Sequence, residues 1–214
     1  SRFTFRAFGL GALLSLFISI GFAYARLAMA TAGMSSDYIT AGAICLFFVL
    51  TALVNPLLRI LGWGLSQAEL IIVYIMMIVA SAIPTWGFSA NLVAMLPAVY
   101  YYATPENNWA ELLHPYVADW LVPQDPAAVK YFFEGLPKDM PLPWGAWAVP
   151  MAAWCSFIMA IYLMMITIMV IVRRQWVEYD RLSFPLLQLP LDMVEEDGKG
   201  GYFSPFVKKP LMWL

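Results

Sequence analysis

Apolar and polar positions along the chain sort into long charge-free runs and short polar punctuation, and the runs set the elements. The cleanest run extends from Trp144 to Val172 without a charged residue. It stops at the block Arg173, Arg174, Gln175, Trp176, Val177, Glu178, Tyr179, Asp180 and Arg181. A helix needs about 20 apolar residues to cross a hydrocarbon core, so this run predicts a span. Another run, Ala7 to Ala30, has no proline and is interrupted only by Arg26 near its far end. Most of its small residues, Gly9, Gly11, Ser15, Ser19 and Gly21, recur at roughly helical spacing. They predict a face packed on another helix, because small side chains let backbones approach closely in lipid. After a turn, with Asp37 as N-cap, a further span is expected from Tyr38 to about Val54, ending near Asn55-Pro56.

Ser66 and Glu69 form a Ser-x-x-Glu capping box, flanked by Leu65 and Leu70 as a hydrophobic staple, and predict a helix from Gln67 to Ile83. At 1.5 Å per residue that helix covers about 25 Å, short of a full crossing. Pro84, Trp86 and Gly87 interrupt it, and an apolar piece from Phe88 to Tyr102 follows, carrying Asn91 and Pro97. The pair reads as one kinked helix, two half-helices, or a helix with a re-entrant segment.

The segment 103–143 is different in kind, with seven prolines and six acids against two lysines. Trp109, Leu112, Leu113, Tyr116 and Trp120 fall at helical spacing and predict an aromatic helix lying at the interface, which Pro115 kinks or divides. Asp125-Pro126 is a helix start and Gly135 a stop. Beyond the Arg173 block, Pro185 and Pro190 bracket Leu186 to Leu189, too short to span. This piece reads as a re-entrant or interfacial segment, or as an ordered linker. Glu195 to Gly201 reads as a solvated turn, and Lys208 to Leu214 as a basic flank opening a further span. The chain is therefore expected to belong to a longer polypeptide.

The expected fold is an all-α integral membrane protein with about four transmembrane helical elements, the third broken at Pro84–Gly87. Residues 1–102 hold the first three elements, 103–143 an extracytoplasmic helical cap, 144–172 the fourth helix and 173–214 a cytoplasmic segment. Composition agrees: 62% of residues are hydrophobic and 12% charged, against about 25% charged in soluble domains. A net charge of −2 without a basic stripe speaks against a nucleic-acid partner. Lys and Arg at 2, 6, 59, 173, 174, 181, 199, 208 and 209 lie on one side, and only Lys130 and Lys138 on the other. This bias puts the N-terminus in the cytoplasm and the cap outside.

Chemistry is sparse. Cys45 and Cys155 lie in apolar runs and form neither a disulfide framework nor a metal spacing. His114 is the one histidine, which excludes bis-histidine haem and zincin sites. Methionines 151, 159, 164, 165 and 169 read as packing residues rather than copper ligands. No nucleophile–base pair, cofactor motif or metal set stands out, so neither an enzyme nor a cofactor is expected. Three residues remain as candidate substrate contacts. Arg26 is the one charge inside an apolar run, and either snorkels to the headgroups or pairs with a carboxylate. Trp86 and Asn91 lie at the helix break, which either is a plain kink or opens helix-end groups to a cavity. The partners implied are the bilayer, a small solute, and a membrane-complex or oligomer partner docking on the cap.

The pattern Arg181-Leu182-Ser183-Phe184-Pro185 after a span resembles the Leu-x-Phe/Tyr-Pro element of the oligopeptide transporter (OPT) superfamily. Phe5-Arg6-Ala7 with Gly9 through Gly11, and Leu65-Ser66-Gln67-Ala68-Glu69-Leu70, are similar to bacterial membrane proteins with OPT-like N-terminal halves. Where that family has an acid and a glycine after the proline, this chain has Leu186 and Leu187. The resemblance implies the N-terminal part of a polytopic transporter for a peptide or metal chelate. The competing expectation is a non-catalytic structural or accessory subunit of a larger membrane complex.

Overall fold

A computed structural model of the chain describes residues 4–29, 40–180, 184–195 and 203–209. Every regular element among these is helical. The longer ones are α1 (Phe5–Arg26), α2 (Ala41–Ile60), α3 (Gln67–Ala80), α4 (Val93–Tyr101), α5 (Pro126–Glu134), α6 (Trp144–Tyr179) and α7 (Pro185–Val194). Helices α1, α2 and α6 are long and apolar enough to cross a membrane, whereas α3 is shorter. The chain divides into two compact units, Ser1–Ala90 with Ser183–Leu214, and Asn91–Leu182. The predicted Asp37 cap and the motif residues Arg181, Leu182 and Ser183 lie outside the described residues, as does most of the predicted Glu195–Gly201 turn.

In the first unit α1 packs along α3, and α2 and α7 close on the same core. Ala7, Ile18, Phe47, Val73 and Met77 are fully buried, joined by Leu50, Leu70, Met193 and Val194. The small-residue face of α1 is narrower than its spacing suggests. At Gly11 a methyl group would stand 2.5 Å from the Met76 sulfur, so α1 and α3 pack closely here and a larger residue would have to displace the Met76 thioether. Gly9 faces open space and Gly21 meets only Phe17 of its own helix.

Helix α2 departs from its expected end. It runs through Asn55-Pro56 to Ile60 instead of stopping there. Proline clashes with the carbonyl four residues back in a regular α-helix. Here Leu50–Val54 winds as a wider π-helical turn just before Pro56, which relieves that clash and carries the helix on. Similar wide turns occupy Ile18–Phe22 in α1 and Gln175–Tyr179 at the end of α6.

Helix α3 starts at the predicted capping box, with both reciprocal hydrogen bonds formed. It ends at Ala80, before the predicted Ile83. Pro84 would strike the Ala80 carbonyl in a continued helix, and the Ser81 hydroxyl donates to the Ile78 carbonyl at 2.6 Å instead. A turn through Pro84 and a π-helical stretch, Trp86–Leu92, follow. Helix α7 turns the predicted short apolar piece into a packed element. Its C-terminal Met193 and Val194 are buried in the core.

In the second unit α4 packs on α5, with Tyr101 stacked on Phe133 at 4.4 Å between ring centres. Asp125 caps α5 and Gly135, at φ +91°, ends it, as the sequence predicts. The aromatic stripe at 109–120 is not one helix. Trp109–Leu112 is a single α turn and His114–Tyr116 a 3₁₀ turn, because Pro115 cannot continue an α-helix from within. The Trp154 indole donates to the Leu121 carbonyl at 2.9 Å, Phe132 packs on Trp147, and Pro150 is buried. No residue of the most apolar window of α6 is buried.

Candidate functional site

The three predicted contact residues do not share one unit. Arg26 sits half-buried in the last turn of α1, where the partial negative charge of the helix end favours a cation. Trp86 opens the π-helical stretch. Asn91, near the end of that stretch, is exposed and belongs to the second unit. The break itself is largely self-satisfied. Thr85 donates to the Ala82 carbonyl at 2.8 Å and accepts from the Phe88 amide, and Ser89 donates to the Thr85 carbonyl at 2.9 Å.

In the first unit, polar side chains join α1, α2 and α3 and the turn before α3. Glu69 is 4% exposed. Its carboxylate accepts from the Thr4 hydroxyl, from the Ser66 amide at 2.8 Å and from the Ser66 hydroxyl at 3.0 Å. The Arg6 guanidinium lies 3.5 Å away. The Asn55 side chain grips Leu65 from both sides, accepting from its amide at 2.7 Å and donating to its carbonyl at 3.3 Å. Ser19 reaches the Ala80 carbonyl. The sequence signals Ser66 and Glu69 through the capping box, but nothing marks Thr4 as their partner. Asn55 has a signal, a lone amide at the end of an apolar run, that the helix-terminus reading absorbed.

Cavities are present in both units among the described residues. One, of about 10 Å³, is lined by Thr51, Asn55, Arg59, Glu195 and Ser204 among others, and has room for about one water. The other is an open groove of about 420 Å³ in the second unit, lined by Asp119, Trp120, Gln124, Asp125, Val149 and Pro150 among others. His114 is structural: its Nε2 lies 3.1 Å from the Val99 carbonyl and its ring against Tyr100. Among the described residues no cluster of three His, Cys, Asp or Glu is placed to hold a metal ion.

No curated protein and no solved structure matches the chain. Residues 1–214 match in full a family of unknown function, DUF6785, and the chain belongs to that family.

Proposed function

We propose that this chain is the N-terminal part of an OPT-like membrane transporter that moves a small organic solute, a peptide or a metal chelate. The observation that carries this reading is the interrupted helix. Apolar sequence continues past Ala80, yet α3 stops, and a turn and a π-helical stretch separate it from α4. Transporters build solute sites on discontinuous helices, and wide turns recur at functional positions. In this reading the solute meets the helix break that carries Trp86 and Asn91, and Arg26 separately offers a guanidinium for a carboxylate. The excess of Lys and Arg favours a cytoplasmic N-terminus with residues 103–143 outside as a cap, and the resemblance to bacterial OPT-like proteins favours a bacterial inner membrane.

Single cysteines test it in a background with Cys45 and Cys155 replaced by serine. In native membranes, Asn91→Cys should react with a membrane-impermeant maleimide far faster than Met164→Cys of α6, and a dipeptide or metal-chelate mixture should slow only the former. Equal rates at the two positions, with no protection, would overturn the reading.

A second reading, a non-catalytic accessory subunit of a larger complex, draws on α6, whose most apolar window buries nothing. A transmembrane partner would cover that helix. Crosslinking from photoreactive residues along α6 to another polypeptide, without solute protection at Asn91, would favour it.

A further inference from the structure

The groove of the second unit lies at a depth that can be counted along α6. If Arg173 and Arg174 mark one edge of the hydrocarbon, about 20 residues of helix cross it, which brings the other edge near Ala153. Trp154 then falls in the aromatic belt, and its bond to the Leu121 carbonyl fixes the height of the loop that carries the groove. Ala146, Val149 and Pro150, which wall the groove from α6, stand about 4–10 Å further out at 1.5 Å per residue. That is the headgroup layer, about 5–8 Å thick on each face.

The lining suits a cation with an apolar body. Asp119 and Asp125 bring two carboxylates and no Lys or Arg lines the groove. Asp119 accepts from the Gln124 amide and Asp125 from the Ala127 amide, leaving lone pairs on each carboxylate for a further donor. Trp120 and Val149 are 56% and 58% exposed and supply an indole and an aliphatic surface beside the acids, and an indole face attracts ammonium groups. The segment around them carries six acids and two lysines, and Lys130 is already paired with Glu134 at 3.7 Å. The volume of about 420 Å³ falls within the range of small-ligand sites. No three-ligand cluster accompanies the acids among the described residues, so the chemistry favours an organic cation over a divalent metal.

We infer that this groove binds an ammonium group carrying a small apolar body, presented either by a free amine or by the headgroup of a zwitterionic lipid. The inference rests on the membrane depth of α6 and not on the transport reading. The full chain in phosphatidylglycerol nanodiscs would be titrated with choline and with its uncharged carbon isostere, 3,3-dimethylbutan-1-ol. In parallel, nanodiscs doped with phosphatidylcholine or phosphatidylethanolamine would be assayed for retained lipid by native mass spectrometry. The D119N/D125N variant keeps the hydrogen-bonding shapes and the helix cap, since Asn caps as well as Asp, and an unchanged melting temperature verifies its fold.

Saturable choline binding weakened about tenfold in D119N/D125N, with no binding of the isostere, identifies a free-amine site. Zwitterionic lipid retained by the wild type and lost from the variant identifies a headgroup site. The inference is overturned if the isostere binds as well as choline, or if neither choline nor zwitterionic lipid distinguishes wild type from variant.

Discussion

The α1–α2–α3 bundle and helix α6 are built from nearly the same apolar alphabet, yet they bury very differently. In the most apolar stretch of α2, 44% of positions are buried, against 17% for α1 and none for α6. Hydropathy does not separate them, since α6 has the highest value of the three. In the bundle, small and polar side chains that reach a neighbouring helix accompany burial, whereas in α6 such a bond is made by Trp154 near its start. Helix α1 meets α3 through Gly11, Ser19 bonds the Ala80 carbonyl, and Thr4 bonds Glu69. In α6, Ser156 and Thr167 spend their hydroxyls on carbonyls of their own helix, those of Ala152 and Leu163. Lipid is as apolar as leucine, so helices associate through close packing and hydrogen bonds rather than through hydrophobicity.

The comparison can be broken most forcefully at Glu69. Glu69→Ala leaves Thr4, the Ser66 amide and Arg6 without their common acceptor, and should cost about 3 kcal/mol in detergent-titration unfolding. A loss under about 1 kcal/mol would mean that the carboxylate does not hold the bundle. Phe47→Ala removes a fully buried ring that packs on Tyr74. It should cost about 2 kcal/mol, the packing share of what such truncations cost in water. Asn55→Ala deletes both links to Leu65 and should cost about 1–2 kcal/mol, with faster proteolysis after Leu61 as a second readout. Arg6→Gln changes a contact whose cation is 58% exposed, and is expected to stay below about 1 kcal/mol and to fade with salt. At the bottom of the series, Ile166→Ala in α6, on an exposed position, should stay within about 0.5 kcal/mol in the same assay. A large loss there would show that α6 is packed against something after all.

Much of the fold was legible because it rests on local physics. The runs of α1, α2 and α6, the Ser66–Glu69 box, the Asp125 cap and the Gly135 stop all follow from hydropathy or from a backbone group needing a partner within three residues. What was not legible depends on partners far along the chain. Gly9 and Gly11 are the same residue type two positions apart, and only the location of Met76 decides which of them permits contact. Pro56 read as an ending because a wide turn leaves no trace in composition. The candidate contacts Arg26, Trp86 and Asn91 stand out only as unusual residues in apolar surroundings, and that signal carries no distance. It could not foresee that Asn91 falls in the other unit, nor that Asp119 and Trp120 share a groove with the start of α6.

The wide turn at Leu50–Val54 has one more consequence. A regular helix returns to the same face after seven residues, so Val54 should lie beneath Phe47. Instead Val54 is exposed and Asn55 is buried. The turn thus acts as a phase shifter that advances the later half of α2 by one position, or about 100°. Deleting Ala52 would restore regular winding without breaking the helix, and would swing the amide that holds Leu65 out of register.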